Sequence, residues 1–371
     1  MREAKLRIAR RVGGIRASAR AAPATCRMLL VSDGREYTSE QQFAPIWRHQ
    51  RRLRHDLGLA VRWLPLDVAL AQLARLSGRF DIVGLKLSFR RPADEIEAIV
   101  DRFRALADGA DASLVYFDGD DDSGILWPNL LDRADLYVKK HIFHDPAAYA
   151  ARFVGKSNLT TYVANATGRS FATDIIPSAG GIDPAALGKL HLGWSIALDD
   201  KIAGLSPHRP DADRPIDICG RAYVSPENWL HGLRAPAVAA LEAIEGRWKV
   251  KVPRGRVSQA EYDREMRAAK ICVSPFGYGE ICWRDFEAIM SGCLLVKPDT
   301  RHIRSLPDLF VAGETYLPVA WDYSDLEAVC APVLADDGAR LAIARTAQNK
   351  LIEALSGTWF LDRMGELIRR L

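Results

Sequence analysis

The sequence predicts an α/β protein of two domains, each built around a parallel β-sheet. The chain has 371 residues, more than one ordinary hydrophobic core accommodates and enough for two domains of roughly 150–180 residues. Short apolar runs alternate with amphipathic stretches of helical length, which is typical of strand–helix–strand units. A segment rich in proline and glycine, residues 156–215, interrupts this alternation before it restarts at Ile216. The interruption predicts the boundary between the two domains.

The first domain is predicted to be Rossmann-like and to cover residues 26–190, after a basic, flexible tail at residues 1–25. Its strands are expected at residues 27–32, 60–64, 80–85, 113–117 and 136–139. Its helices are expected at residues 39–57, 67–76 and 92–107, with a shorter one near residue 130. Each strand is a short apolar run of the kind that helices bury on both faces of a parallel sheet.

Residues 191–215 are predicted to be a linker, and residues 216–355 a second Rossmann-like domain. Its strands are expected at residues 216–219, 248–252, 271–274 and 294–296, and its helices at residues 235–244, 259–269, 283–291 and 339–355. The terminal segment, residues 356–371, contains an amphipathic helix at 360–371 that we expect to pack back toward the first domain. Two such domains place the default binding site in the cleft between them.

The charge of the chain is unevenly distributed. The formal net charge of +4 is the sum of +6 on residues 1–25 and −2 on the remainder. A second basic segment, residues 47–55, contains Arg48, Arg51, Arg52 and Arg54. Tail and helix together could contact an anionic membrane, and a solvated basic face is the alternative. The slightly acidic body and the lack of a recognised motif argue against nucleic acid as a partner.

Cysteine spacing and hydropathy restrict the class of protein further. The six cysteines form no C-x-x-C pair, and no histidine pair has zinc spacing, so we expect no structural metal site. We expect the cysteines to be reduced thiols in a cytosol. The apolar runs are too short for a membrane-spanning helix. The predominance of Arg over Lys and the abundance of Ala are typical of a GC-rich bacterial coding sequence. A cytoplasmic bacterial protein is therefore expected.

The densest chemical signal is SPFGYGEICWRDFEAIMSGCLLVKP, residues 274–298. A strand ends in a loop containing Gly277 and Gly279, and a helix follows. Glycines allow close approach of the backbone to a ligand, and the helix N-terminus favours an anion such as a diphosphate. Glu280 and Glu287 are two helical turns apart, so they share a face if the helix begins early enough, and carboxylates suit sugar hydroxyls. Alternatively, both acids could form a surface ion-pair ladder with Arg284.

This segment resembles the carboxyl-terminal domain of GT-B glycosyltransferases. Residues 270–298 are most similar to the "glycosyl transferases group 1" type of spore-maturation-like proteins, and more loosely to exostosin-type domains. These families have a loop ending in Gly-x-Gly-Glu or a relative, then Arg-x-x-Glu-Ala and a helix ending at Gly. The resemblance implies that Glu287 holds the ribose of the donor nucleotide and that Glu280 or its loop faces the donor sugar. Retaining members commonly have seven residues between the two acids, whereas this chain has six.

The same resemblance extends to the start of the second domain. Gly220 and Arg221 follow its first strand, as a Gly-Arg pair does in many such enzymes, which implies that Arg221 meets the donor diphosphate; a surface arginine at a strand end is the alternative. Tyr278 could stack on a base or sugar, or pack in the core. The donor-binding set is predicted as Gly220, Arg221, Gly277, Tyr278, Gly279, Arg284, Glu287 and Lys297.

The first domain is expected to hold the acceptor and any general base. Candidates follow its strands and comprise Asp33, Arg35, Lys86, Ser88, Asp118, Asp120 and Asp121. The catalytic residues are predicted as Glu280, Asp118 and Asp33. The acidic run could instead bind a divalent cation, although the resemblance implies metal-independent catalysis. His141 and His144 are expected to be a structural pair rather than a base.

These features predict a glycosyltransferase that uses a nucleotide sugar as co-substrate, with no bound cofactor. The acceptor would be a glycan, a lipid-linked or another surface-polysaccharide chain, reached in the cytoplasm or at the inner face of the membrane. A sugar-nucleotide epimerase or hydrolase of the same fold, and a non-catalytic sugar-nucleotide-binding or scaffold protein, are the alternatives. A nucleotide-dependent regulator is less consistent with the sequence, because neither domain opens with a Walker A loop or a GxGxxG motif.

Overall fold

The computed structural model describes residues 24–34, 37–155, 157–168, 181–222, 225–252 and 255–371, without the side chains of Thr38 and Ser39. Almost all of the predicted tail, and the candidate Arg35, lie outside these ranges. Within them the chain folds into two parallel sheets and one short antiparallel ribbon. None of the described helices is both long enough and apolar enough to cross a bilayer.

The first domain is built on the sheet β2-β1-β3-β4-β5-β7, in which all neighbours are parallel. Its segment of the chain contains the strands β1 Cys26–Ser32, β2 Leu59–Pro65, β3 Ile82–Lys86, β4 Ser113–Asp118, β5 Leu136–Lys139, β6 His141–Phe143 and β7 Leu190–Leu192. Its helices are α1 Tyr37–Arg48, α2 Gln50–Leu57, α3 Leu66–Ala71, α4 Leu73–Leu76, α5 Ala93–Asp108, α6 Asn129–Arg133, α7 Asn158–Thr167 and α8 Asp200–Ala203. The central strands are buried on both faces, as their continuous apolar runs predicted.

The second domain is built on the parallel sheet β13-β11-β10-β8-β9. The strands of this part of the chain are β8 Ile216–Cys219, β9 Val250–Lys251, β10 Ala269–Val273, β11 Leu294–Pro298, β12 Ile303–Ser305 and β13 Leu317–Val319. Its helices are α9 His231–Ala243, α10 Gln259–Arg267, α11 Trp283–Met290, α12 Leu326–Ala335 and α13 Asp337–Leu355, and the terminal helix is α14 Thr358–Arg369.

Both sheets have the doubly wound strand order 2-1-3-4-5, counted from the first strand of each domain, and β7 extends the first sheet as a sixth strand. The winding direction reverses between β1 and β3 in one domain and between β8 and β10 in the other. Ligands bind doubly wound sheets outside the carboxyl ends of the strands at such a switch point. The topology therefore marks two loop pairs, one in each domain, as binding positions.

The two domains face each other across a cleft and are joined by more than the chain. Strands β6 and β12 pair antiparallel across the boundary, with Ile303 opposite Phe143. Helix α14 leaves the second domain and packs on the first, where Phe360 and Met364 join the core around Leu30. The predicted GT-B arrangement, including the returning terminal helix, is confirmed. The β6–β12 ribbon was not predicted, because its strands are far apart in sequence.

Two local expectations differ from the structure. The predicted helix 39–57 is divided into α1 and α2 at His49, where φ is −105° and ψ is 14°. The ring of His49 lies against Phe360 of α14, with 5.7 Å between ring centroids. The break therefore falls where the terminal helix crosses, which local sequence could not show. The predicted helix 67–76 is likewise divided, into α3 and α4, at Gln72.

The predicted linker 191–215 begins inside the first domain. Strand β7 pairs with β5, and Trp194 is almost fully buried, with its indole nitrogen donating to the carbonyl of Gln42 at 2.8 Å. At the other end, Arg214 is buried and donates to the carbonyl of Ala269 at 2.7 Å. The segment that connects the domains is therefore shorter than its composition indicated.

Candidate functional site

The switch point of the second domain brings the two predicted donor loops together. Gly220 and Arg221 follow β8, and residues 274–282 connect β10 to α11. Arg284 joins the loops by donating to the carbonyl of Arg221 at 2.7 Å, and it also donates to the carbonyl of Pro275 and, at 3.0 Å, to Ser274 Oγ. Because all three of its guanidinium nitrogens donate to protein groups, Arg284 orders the two loops, which corrects its place in the predicted donor-binding set.

Arg221 is held by an acid that the sequence did not single out. Its Nε and Nη2 each donate to one oxygen of Glu265 in α10 at 2.8 Å. This two-pronged geometry is the one a phosphate would occupy. A diphosphate at Arg221 would therefore have to displace Glu265.

Lys297 is not available to an external ligand, which corrects the prediction made for it. Its side chain is completely buried, and Nζ donates to Asp285 Oδ2 and to the carbonyl of Glu280, both at 2.7 Å. Asp285 also accepts from the backbone nitrogen of Cys282 at 3.0 Å and caps α11. The acid three residues after the N-cap is the capping-box pattern, which could have indicated this role.

The glycines of the motif meet protein rather than open space. A Cβ on Gly279 would lie 1.4 Å from the carbonyl oxygen of Asp121, and one on Gly220 would lie 2.6 Å from Leu241 Cδ1. Gly277 is less constrained, because its nearest neighbour would be Cys282 Cβ at 3.5 Å. The loop of the second domain therefore touches the acidic loop of the first, and Gly279 makes that approach possible.

Glu287 and Glu280 have separate surroundings, so neither a shared ligand face nor the ion-pair ladder with Arg284 forms. Glu287 lies on α11, accepts from Tyr262 Oη at 2.8 Å and pairs with Lys201. Glu280 precedes α11 and points toward the domain boundary. Tyr278, in the loop that connects β10 to α11, is 58% exposed and contacts Trp229 edge-on.

Glu280 is completely buried between groups of both domains. Its Oε1 accepts from Ser123 Oγ at 2.8 Å and lies 3.1 Å from His302 Nε2. Its Oε2 lies 3.4 Å from His141 Nε2, too poorly aligned for a hydrogen bond. Burial by itself would raise the pKa of Glu280, but the imidazoles of His141 and His302 hold it well below the ordinary value. The carboxylate is therefore ionised and has no direct access to a donor sugar, which corrects the predicted contact.

The histidines differ from their prediction as well. His141 is buried against Glu280, whereas the side chain of His144 is exposed, so they do not form a pair. Burial, the largest effect, lowers the pKa of His141. His302 was not a candidate, because a single histidine in a loop has no motif to distinguish it.

The acids predicted as bases in the first domain are engaged by cations. Asp118 accepts from Lys139 Nζ at 2.9 Å and Tyr137 Oη at 2.7 Å. Burial would raise the pKa of Asp118, but the nearby lysine ammonium groups hold it below its ordinary value. Asp33 accepts from Arg91 Nε at 3.0 Å. Asp118 is therefore a poor proton acceptor near neutral pH, and Asp33 is already engaged by Arg91.

The other candidate residues at the carboxyl ends of the first domain's strands are also engaged in hydrogen bonds or ion pairs. Asp120 accepts from Lys86 Nζ at 2.9 Å, Asp121 accepts from Lys140 Nζ at 2.7 Å, and the backbone nitrogen of Ser88 donates to Asp33 at 2.9 Å. No group of three or more potential metal ligands exists among the described residues.

An open pocket of about 670 Å³ lies beside these loops, and none of the predicted site residues lines it. Its walls are Asn158, Asp299, Arg301, His302, Ala320 and Trp321. His302 connects the pocket to Glu280.

No protein-family model matches the chain, and no curated protein sequence matches it. Solved structures resemble it at the level of the fold. The HepE protein of Anabaena in complex with UDP-glucose is 11% identical, with 93% of this chain and 100% of that chain covered and a TM-score of 0.45. An alpha-glucosyltransferase in complex with UDP is 10% identical, with the same coverage and a TM-score of 0.48. A glycosyltransferase of Rickettsia africae is 10% identical, covers 93% and 98%, and has a TM-score of 0.47.

Some structures of the alpha-glucosyltransferase also contain DNA. At these identities and TM-scores, the likeness transfers neither substrate nor partner to this chain. Its function has to be inferred from its own residues.

Proposed function

We propose that the chain is a glycosyltransferase that moves a sugar from a nucleotide-sugar donor to a glycan, lipid-linked or other surface-polysaccharide acceptor. One observation carries the proposal: the motif loop after β10 and the Gly220–Arg221 loop meet at the switch point of the second sheet, opposite the carboxyl edge of the first. Nucleotides bind doubly wound sheets at this position. The donor would therefore bind the second domain and the acceptor would approach from the cleft.

The donor contacts would come from groups that can exchange a protein partner for a ligand. Glu287, whose side chain is 11% exposed and accepts from Tyr262, could accept from ribose hydroxyls instead. Arg221 could exchange Glu265 for the diphosphate. The exposed ring of Tyr278 offers a stacking surface for the base. Leaving-group charge would be neutralised by Arg221 and the N-terminus of α11, with no metal and no bound cofactor.

The acceptor is proposed to be reached in the cytoplasm, with peripheral contact to an anionic membrane. The side chains of Arg51, Arg52 and Arg54 on α2 are exposed. The basic tail joins the fold beside them, because the backbone nitrogen of Thr25 donates to the carbonyl of Gly58 at 3.0 Å. Tail and helix would thus present one cationic surface. Nucleic acid is not proposed as a partner.

Thermal unfolding with nucleotides tests the proposal directly. UDP, GDP, ADP and UDP-glucose would be added to the full chain and to Glu287→Gln, with the exposed Glu242→Gln on α9 as the matched control. We expect one nucleotide to stabilise the wild type and Glu242→Gln by roughly 2.7 kcal/mol at ~100 times its dissociation constant, and Glu287→Gln clearly less.

Three outcomes would contradict the proposal. Absence of any shift with the wild type would favour a scaffold protein. Donor consumption that never depends on an added saccharide would favour an epimerase or hydrolase. Equal stabilisation of Glu287→Gln and wild type would remove Glu287 from the donor site.

A further inference from the structure

The pocket beside the donor loops is separate from the proposed nucleotide position. It lies at the carboxyl ends of β11 and β13, where Asp299 and Ala320 follow the two strands. The nucleotide position lies at the carboxyl ends of β8 and β10, the next two strands along the same sheet edge. Asn158, at the start of α7, also lines the pocket. The pocket is therefore a second candidate binding site along the same cleft, next to the position expected for the donor sugar.

His302 is fixed in the wall of this pocket on three sides. Its Nε2 lies 3.1 Å from Glu280 Oε1, and its ring meets Trp321 edge-on, with 5.2 Å between ring centroids. Its backbone carbonyl accepts from the nitrogen of His144 at 2.7 Å, which ties it to the β6–β12 ribbon. The side chain is 26% exposed. An imidazole with these contacts keeps one orientation while one edge remains open to the pocket.

The hydrogen-bond network assigns the tautomer of His302. The Glu280 carboxylate is ionised and already accepts from Ser123, so it can only accept. Nε2 of His302 therefore carries the proton and donates to Glu280. In the neutral ring this leaves the lone pair of Nδ1 as an acceptor, and no described residue donates to it. A carboxylate that fixes the tautomer of an exposed imidazole is the arrangement of a general base.

The other walls suit a saccharide. The indole of Trp321 is held by a hydrogen bond from Nε1 to the carbonyl of Asp299 at 3.0 Å. The buried Oδ1 of Asn158 has no hydrogen-bond partner among the described residues. The carboxylate of Asp299 is 24% exposed and pairs with Arg301. An aromatic surface next to a few oriented acceptors matches a sugar ring, which has apolar C–H groups and several hydroxyl donors.

We propose that this pocket binds a saccharide acceptor and that His302, oriented by Glu280, is the general base that activates its hydroxyl. This inference rests on the proposed glycosyl transfer. The hydroxyl proton passes to His302 Nδ1 as the acceptor oxygen forms a bond to the anomeric carbon of the donor. The bond from that carbon to the diphosphate oxygen breaks, and the nucleoside diphosphate leaves with the electron pair. The imidazolium then releases its proton to solvent. Glu280 is a positioning residue in this step.

The test compares His302→Gln with His144→Gln, whose exposed side chain directly follows β6 and does not line the pocket. UDP release from UDP-glucose is measured with and without the methyl glycosides of glucose, galactose and mannose. We expect a glycoside to stimulate release by the wild type and by His144→Gln. In His302→Gln the stimulated rate should fall by roughly 10²–10⁴-fold while UDP affinity is unchanged. A stimulated rate in His302→Gln equal to that of the wild type would overturn the base assignment.

The pH dependence separates a base from a structural residue. Two negatively charged groups, Glu280 and Asp299, and one positively charged group, Arg301, face His302. His141 and Lys297 lie beyond Glu280. The stimulated rate of the wild type should rise with pH, as expected of a general base, and the His302→Gln profile should lack that rise. A rise retained in His302→Gln would assign the base elsewhere.

An NMR titration of the His302 ring with the same glycosides needs no donor and therefore separates this inference from the proposed function. We expect at least one glycoside to shift the ring resonances. If none does, the pocket is not a saccharide site. If UDP alone shifts them, the pocket belongs to the donor and the acceptor assignment is wrong. If the glycosides shift the His302 resonances while no nucleotide binds the wild type, the pocket is a saccharide site but the proposed glycosyl transfer is wrong.

Discussion

Arg221 shows how a single residue can be poised between a structural and a binding role. Its guanidinium is largely covered and forms a two-pronged pair with Glu265. Removing one partner of such an ion pair leaves the other charge poorly compensated. The pair with Glu265 should therefore persist unless a more highly charged anion replaces the carboxylate. A diphosphate carries more charge than one carboxylate, and two oxygens of one phosphate can accept from both prongs of the guanidinium.

Substitutions on the two sides of this pair should have opposite effects on donor binding. Arg221→Ala removes the fork and should weaken UDP binding about tenfold or more, the value of a hydrogen bond to a charged group. Glu265→Gln removes the competing charge and should strengthen it. Calorimetric titration with UDP measures both, with the exposed Arg264→Ala on α10 as control. Unchanged affinity in both variants would show that Arg221 does not meet the diphosphate.

At the scale of elements, the loop between β10 and α11 is organised from inside. Lys297 and Asp285 form a buried ion pair beneath it, and Arg284 ties it to the loop after β8. Gly279 then brings its outer side against Asp121 of the first domain. The motif is thus a structural element that positions Glu280 as well as a candidate ligand site.

Gly279→Ala should open the contact between the two domains. The added Cβ would lie 1.4 Å from the carbonyl oxygen of Asp121, so the two loops must separate. We expect a loss of about 1–3 kcal/mol in the free energy of unfolding, as for overpacked positions. Urea denaturation measures it, and Gly277→Ala is the control because its Cβ meets only an ordinary contact. Equal stability of the two variants would show that the loops do not touch in solution.

At the scale of the whole molecule, the charge is divided between a nearly neutral body and a basic tail. The net charge of +4 therefore describes neither part. The tail enters the fold at Thr25, next to the end of the basic helix α2 and far along the chain from the motif loop. Membrane contact and donor chemistry should consequently be separable.

Removal of residues 1–23 should separate them. We expect the shortened chain to keep its nucleotide-dependent thermal shift and its donor turnover. Sedimentation with vesicles containing phosphatidylserine should fall for the shortened chain, and for Arg51→Glu on α2, relative to the full chain. Vesicles of phosphatidylcholine alone are the control. Loss of turnover with the fold intact, or unchanged binding to the anionic vesicles, would contradict this division.

The sequence alone determined most of the strands, their parallel arrangement and the two-domain order, but not β6, β7, β12 and β13. Strands β5 and β8 were predicted with the bounds they have, and most other strands within two residues, because a strand covered on both faces must be a continuous apolar run. The switch-point position of the motif follows from that order. Local pattern suffices for these features because each depends on the burial of neighbouring residues.

The tertiary structure alone decided what the polar residues of the motif do. Whether a lysine or a carboxylate faces a ligand depends on which distant residues reach it first: Lys297 meets Asp285, and Glu280 meets His141 and His302 across the β6–β12 ribbon. A buried charge needs a partner, and the sequence distance to that partner carries no information about the distance in space. For this reason His302, which no local pattern distinguishes, became a candidate base only when the two domains were brought together.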